Sequence, residues 1–88
     1  MRIRVRRTGG FAGIERLAEM DTSGRADAHE WESLAERVLA SGRAAPPAGV
    51  PDGFRYEITV DGRTVHAADP RLSEPERELV SRVLKEGA

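Results

Sequence analysis

The sequence predicts an α+β fold in which a four-stranded, largely antiparallel sheet carries two helices on one face. The sheet is predicted from residues 1–20 and 54–69, because in each stretch apolar and polar side chains alternate on both sides of a glycine-containing turn. The helices are predicted from two stretches with a helical apolar stripe and a capping sequence. Since only one face of each β-hairpin is apolar, both helices are expected on that face, in the order ββαββα.

The composition is that of one small globular domain spanning residues 1–88. A chain of this length, with 39% hydrophobic residues, supports one core but no enclosed cleft between domains. The net charge of −1 removes the general electrostatic case for nucleic-acid binding, and the lack of cysteine excludes disulfides and thiolate chemistry. No apolar stretch has the length of a signal peptide or a membrane span, so a cytoplasmic protein without membrane association is expected.

The first hairpin is predicted from a strand over residues 1–8 and the glycine pair that follows it. A two-residue turn at Gly9 and Gly10 is favoured because such turns need positive φ angles, which glycine adopts cheaply. This turn places Val5 opposite Ile14 on the apolar face. The predicted register therefore buries one face of the hairpin.

The second strand of this hairpin is expected from Ala12 to about Met20. In the same register Arg4 faces Glu15, which pairs opposite charges on the polar face. Arg16 is the exception, because the register puts it on the inward face. Either a bulge rotates the strand there, or Arg16 lies at the edge of the core with its charged end in water.

The first helix is predicted to begin at Asp27, which with Glu30 has the spacing of a capping box. It is expected to end at Gly42 as a left-handed cap. We expect Trp31, its largest apolar side chain, to anchor the helix on the sheet. The apolar stripe comprises Trp31, Leu34, Ala35, Val38 and Leu39.

The second hairpin is the clearest element, because Phe54 to Val60 alternate strictly and Asp61-Gly62 is a strong turn signal. This turn pairs apolar with apolar and polar with polar positions: Ile58 with Val65, Tyr56 with Ala67, Thr59 with Thr64, and Glu57 with His66.

The last helix is predicted to start with a capping box formed by Ser73 and Glu76, with Pro75 in the first turn. It runs to about Glu86 and is closed by Gly87. Its buried stripe comprises Leu79, Val80, Val83 and Leu84.

The segment from Arg43 to Gly53 contains three prolines and cannot sustain a helix or a central strand. We interpret it as an extended surface connection, which is either a tether between the two halves of the fold or a binding loop.

A metal site is not supported by the histidines. His29 and Glu30 resemble the start of the zinc-protease helix motif, but Ser33 occupies the position where the second histidine belongs. The other histidine, His66, belongs to a different element and is expected to pair with Glu57. No metal ligand set is therefore predicted.

The sequence does not support a phosphate-binding loop or a serine nucleophile either. Gly9, Gly10 and Gly13 join two antiparallel strands, so no helix N-terminus is available to bind a phosphate. None of the serines has a plausible histidine base. We predict that the protein is not an enzyme and needs no cofactor.

The arginines of the first strand offer an alternative function. Such a basic strand is able to contact nucleic acid or an acidic protein partner, which would make the chain a binding module of another class. However, three glutamates are positioned to neutralise the arginines, and no aromatic residue interleaves with them as a stacking platform. A solvated charged sheet face is favoured, and no nucleic acid is expected as a partner. The residues concerned are Arg2, Arg4, Arg6 and Arg7 with Glu15, Glu19 and Glu57.

The whole pattern resembles the emfourin family, small bacterial proteins typified by the inhibitor of protealysin. The resemblance rests on an amino-terminal strand ending in Arg-Thr-Gly-Gly-Phe-Ala-Gly-Ile, a tryptophan-containing helix, a proline-rich connector, the strand Phe-Arg-Tyr-Glu-Ile-Thr-Val and a short closing helix. It implies a single inhibitor domain that is monomeric when free. The implied partner is a thermolysin-like zinc metallopeptidase, commonly encoded beside the inhibitor, whose active-site cleft the protein would block.

Within this resemblance, the candidate binding site comprises Gly9, Gly10, Phe11, Ala12 and Gly13. Thermolysin-like enzymes, as the family resemblance implies, favour a bulky apolar residue just after the cleaved bond, and Phe11 on a preorganised loop suits such a pocket. Alternatively, Phe11 folds back onto the core. The second candidate is the connector from Pro46 to Gly53, the other long irregular surface.

Overall fold

The α+β architecture and the predicted element order ββαββα are confirmed. The structure is a computed structural model that describes residues 1–10, 13, 15–43, 53–69 and 71–87. Its elements are β1 (Arg2–Gly9), β2 (Arg16–Asp21), α1 (Ala28–Ser41), β3 (Phe54–Val60), β4 (Arg63–Ala68) and α2 (Glu74–Glu86).

The four strands form one antiparallel sheet in the order β2-β1-β3-β4. The sequence left open which strands meet at the centre, and the structure places the first strand of each hairpin there. The β1–β3 ladder runs from Ile3 opposite Val60 to Gly9 opposite Phe54. The amino-terminal strand is therefore hydrogen-bonded on both sides.

The second hairpin has the predicted register throughout. All four predicted pairs are present, including Ile58 with Val65 and Glu57 with His66. Asp61 and Gly62 both have positive φ angles, 47° and 85°, as a two-residue hairpin turn of the favoured type requires. In this hairpin the turn residues and the alternation of the strands indicate the same register, so the local sequence was sufficient to predict the pairing.

The predicted register of the first hairpin is wrong by four residues. Val5 lies opposite Ala18 and not Ile14, and Arg4 lies opposite Glu19 and not Glu15. The second strand accordingly begins at Arg16 and not Ala12. The physical reason is the neighbouring strand: Gly9 is still paired with β3 and does not turn.

Arg16 lies at the edge of the core, which decides between its two predicted arrangements. The β1–β2 pairing is regular from Arg7 opposite Arg16 to Arg2 opposite Asp21, so no bulge rotates the strand within these residues. The Arg16 side chain is exposed, and its Nη2 donates a hydrogen bond to the backbone carbonyl of Leu84 at the end of α2.

A single core joins the inward face of the sheet to both helices, as predicted. Trp31 has no exposed surface, and the rest of its stripe is buried except for Leu39, which is half-buried. The stripe of α2 is also buried. The strands contribute Ile3, Val5, Ala18, Met20, Tyr56, Ile58, Val60, Val65 and Ala67.

The two helices begin differently. In α2 the predicted capping box is present: the Ser73 hydroxyl accepts from the Glu76 backbone N–H at 3.2 Å, and a Glu76 carboxylate oxygen accepts from the Ser73 N–H at 2.8 Å. In α1 the predicted box is wrong, because the Asp27 side chain makes no capping hydrogen bond. Its carboxylate instead accepts from Trp31 Nε1 at 3.2 Å and from Arg25 Nε at 2.8 Å. The hydrogen bonds from Arg25 and Trp31 therefore occupy the carboxylate that was predicted to cap the helix.

Gly42 ends α1 but is not the predicted left-handed cap, since its φ and ψ are −75° and 163°. The glycine is explained by packing. A β-carbon at Gly42 would lie 2.5 Å from the β-carbon of Val65 on β4, a distance that real side chains do not adopt. The absent side chain therefore lets the end of α1 approach the sheet.

Candidate functional site

The candidate site lies in the connection between β1 and β2, at one end of the sheet. Gly9, Gly10 and Gly13 have φ angles of 86°, 76° and 65°, a region that other residues adopt only with strain. Phe11 and Ala12, the remaining residues of the predicted site, lie outside the described residues. The three glycines are thus required by the backbone of this loop.

The base of the loop packs against the first residues of β3. The Gly10 N–H donates a hydrogen bond to the Gly53 carbonyl at 3.2 Å. A β-carbon at Gly9 would lie 2.8 Å from the same carbonyl oxygen, and one at Gly10 would overlap the Phe54 ring. The glycine loop is therefore held closely against the end of the connector.

The base of the glycine loop therefore lies beside Gly53, the described end of the second candidate segment. The contacts of Gly9 and Gly10 involve Gly53, the last residue of the connector, although some forty residues separate them in sequence. The other connector residues of the second candidate, 46–52, lie outside the described residues. The sequence presented the loop and the connector as alternatives because their proximity depends on the β1–β3 pairing.

The Phe54 ring packs against Gly10 at the base of the loop, a contact that the sequence did not predict. The Arg7 guanidinium stacks on the Phe54 ring, with its central carbon 4.3 Å from the ring centre. Phe54 also contacts Tyr56 with the two ring centres 6.4 Å apart. One feature of the sequence could have indicated this contact: by alternation Arg7 lies on the same inward face as Ile3 and Val5, which is unusual for an arginine.

The described residues contain no group of three or more histidine, aspartate or glutamate side chains placed to hold a metal ion. His29 is exposed and lies 3.6 Å from a Glu32 oxygen, while the backbone N–H of His66 donates to the Arg43 carbonyl at 2.7 Å. In the same described part of the chain, neither helix has the length and apolar character needed to cross a membrane.

Two of the β1 arginines that point away from the helices, Arg2 and Arg6, form ion pairs on the sheet surface. Arg6 contacts Glu15 at 2.8 Å and Glu57 at 3.1 Å, and Arg2 contacts Glu19 at 3.2 Å. Hydrogen bonds and charges, from Glu15 first and then Glu57, raise the pKa of Arg6 above its usual value. The predicted mixed-charge face is therefore present for Arg2 and Arg6, but Arg7 was wrongly included in it, because its side chain packs on Phe54 on the inward face. The ion pairs leave fewer arginine donors for a nucleic acid.

Replacing Gly10 with alanine is expected to destabilise the protein more than the same change at Gly13. Both positions have positive φ, which alone costs an alanine about 1–2 kcal/mol. At Gly10 the new methyl group would also overlap Phe54, whereas at Gly13 nothing among the described residues lies within 4 Å. Overpacking should add about 1 kcal/mol or more at Gly10.

Urea unfolding of the two variants followed by circular dichroism measures this difference directly, and Gly13→Ala serves as the matched control for the backbone conformation. Equal losses of unfolding free energy would show that the loop does not pack on Phe54 in solution.

The comparisons with known proteins identify the family. The sequence profile of the Emfourin family matches residues 5–84, from within β1 to near the end of α2. The match therefore includes the glycine loop, the connector, four complete elements and most of β1 and α2. Neither the curated proteins nor the solved structures contain a significant match. Because the family profile covers nearly the whole chain, this chain belongs to the Emfourin family.

Proposed function

We propose that this protein is an inhibitor of a thermolysin-like, protealysin-type zinc metallopeptidase. The observation that carries the proposal is the family match over residues 5–84, since emfourins are an inhibitor family. Inhibition would be non-covalent, with the small domain blocking the active-site cleft of the enzyme. A chain that binds in this way needs a rigid protruding element and no catalytic group of its own.

The glycine loop from Gly9 to Gly13 is the proposed primary contact. Its glycines allow the backbone to approach another surface closely, and the contacts of Gly9 and Gly10 with Gly53 and Phe54 hold its base. A loop supported in this way loses little conformational entropy on binding. Phe11, at its centre, is the proposed anchor for an apolar pocket of the enzyme.

The testing experiment is a titration of several thermolysin-like peptidases with the purified protein, using cleavage of a synthetic peptide as the readout. We expect peptidase activity to fall as inhibitor is added, while a serine protease assayed in parallel stays active. Mass spectrometry of the inhibitor after incubation separates inhibition from competition by a cleaved substrate. Unchanged activity at excess inhibitor across the panel would refute the proposal.

Two further observations distinguish the proposal from the alternative of a basic binding module. A gene for a thermolysin-like peptidase beside this one would favour inhibition. Tight, strongly salt-dependent binding to DNA or RNA would favour the alternative, because phosphate contacts release counterions. The ion pairs of Arg2 and Arg6 argue for the inhibitor, since these arginines already have carboxylate partners.

A further inference from the structure

A second surface feature lies beneath the glycine loop, on the helix side of the sheet. It is a groove of about 420 Å³ between the end of β1, the start of β2 and the carboxyl-terminal half of α2. We call it the cationic groove, and its polar and charged lining consists of Arg7, Arg16, Tyr56, Ser81 and Lys85.

Three positively charged side chains line the cationic groove, and none of its described lining residues is acidic. Arg7 and Arg16 lie directly opposite each other on neighbouring strands, on the face that is apolar elsewhere, and Lys85 faces them from α2. Among the described residues, none of the three forms an ion pair, and no acidic residue lines the groove. Like charges placed opposite each other on a sheet are destabilising, so a bound anion would relieve repulsion.

The donors of the cationic groove are already oriented. The Arg7 guanidinium is fixed on the Phe54 ring, and its Nε is buried without a hydrogen-bond partner among the described residues. Arg16 is held by its hydrogen bond to the Leu84 carbonyl. A guanidinium presents a planar set of donors that matches a carboxylate, so two oriented arginines form a receptor with little further ordering.

Tyr56 adds a neutral donor to this set. Burial in the first place, and the charge of Asp69 in the second, raise the pKa of the Tyr56 phenol, while Arg7 opposes the shift. The phenol therefore stays protonated at neutral pH and keeps its O–H available to an oxyanion.

We propose that the cationic groove binds a carboxylate side chain of the inhibited peptidase, next to the place where the glycine loop contacts it. This proposal rests on the proposed function and on the position of the groove beside the loop. Arg7 lies two residues before Gly9 on β1, and Arg16 is the first residue of β2 after the loop. An enzyme surface that contacts the loop therefore faces the groove. An acidic side chain of the enzyme would neutralise the positive charges of Arg7, Arg16 and Lys85, which have no acidic partner among the described residues that line the groove.

The first arm of the test uses the isolated protein, without a peptidase. Two-dimensional NMR, recording backbone amides and arginine Nε–H signals, follows titrations with succinate and with inorganic phosphate. We expect saturable shifts around Arg7, Arg16 and Lys85 on adding succinate, and their loss in the double variant Arg16→Gln/Lys85→Gln. Arg77→Gln removes one exposed charge from the same helix outside the groove and should leave the shifts unchanged.

The second arm measures inhibition of a peptidase that the wild-type protein inhibits. The double variant should raise the inhibition constant by about tenfold or more at low ionic strength, and its inhibition should depend less on salt. Arg77→Gln should behave as wild type. Because loss of the Arg16 hydrogen bond to α2 can lower stability, Lys85→Gln alone, at an exposed position, provides a second variant whose fold is preserved.

The outcomes separate the possibilities. Absence of saturable succinate shifts would overturn the carboxylate site whether or not the protein inhibits a peptidase. Succinate or phosphate binding together with unchanged inhibition by the variants would overturn the assignment to the peptidase and identify a free-anion site. If the wild-type protein inhibits no peptidase of the panel, the proposed function fails and the peptidase assignment with it, while the NMR arm still decides whether the groove binds carboxylates.

Discussion

Replacing Trp31 with alanine is expected to lower the free energy of unfolding by roughly 3–5 kcal/mol, the range for removing a buried large aromatic side chain. Trp31 has no exposed surface and belongs to the core that joins both helices to the sheet. Its ring also lies 4.3 Å from the Arg82 guanidinium on α2, and its Nε1 donates to Asp27. Since small domains are stable by only about 5–15 kcal/mol, the variant should be near the limit of folding.

The measurement is urea unfolding followed by far-ultraviolet circular dichroism, because the variant lacks the only tryptophan and with it the fluorescence signal. Trp31→Phe keeps an aromatic ring but removes the indole donor, so it should lose less than the alanine variant. Leu17→Ala removes an apolar side chain that is 46% exposed and should change stability by less than about 0.5 kcal/mol. A loss below about 1 kcal/mol in Trp31→Ala would contradict the burial of Trp31.

Replacing Phe11 with alanine is expected to weaken inhibition by about 2 kcal/mol or more, which corresponds to roughly a thirtyfold higher inhibition constant. The reason is the proposed role of Phe11 as the apolar anchor of a loop whose base is held by Gly53 and Phe54. An anchor of this kind contributes in the complex and not in the free protein, so the unfolding free energy should change little.

Measuring inhibition and stability on the same variant distinguishes the two arrangements of Phe11. If Phe11 folds onto the core, stability should fall by roughly 3–5 kcal/mol while the folded fraction inhibits normally. Leu17→Ala is the control, because it removes an exposed apolar side chain on β2, outside the loop. A neutral result in both assays would favour residues 46–53 of the connector as the primary contact.

The two hairpins show what alternation in a sequence determines. In the second hairpin, the turn residues Asp61 and Gly62 and the alternating strands select the same register, which the structure has. In the first, pairing Val5 with Ile14 or with Ala18 sorts apolar from polar residues equally well, because a shift of four residues preserves the faces. Alternation therefore predicted which residues are buried but not which residues are paired.

The remaining errors come from side-chain contacts that the sequence pattern does not show, some distant in sequence and some local. Gly42 is explained by Val65, and the carboxylate of Asp27 makes hydrogen bonds with Arg25 and Trp31 instead of capping α1. In the candidate site, the glycines were predicted from their position at the turn after the first strand and from the family resemblance. Their support by Phe54 was not predictable, because it requires knowing that β1 and β3 are neighbours.

The central position of β1 also constrains how the chain folds. Its ladder with β3 joins residues near the amino terminus to residues 54–60, so a segment of about fifty residues must be closed before that ladder forms. An isolated two-stranded hairpin is at best marginally stable in water. During synthesis, β1 therefore lacks one of its two strand partners until β3 has been made. The native sheet is expected to assemble cooperatively from pairings between distant segments, which form more slowly than local pairings.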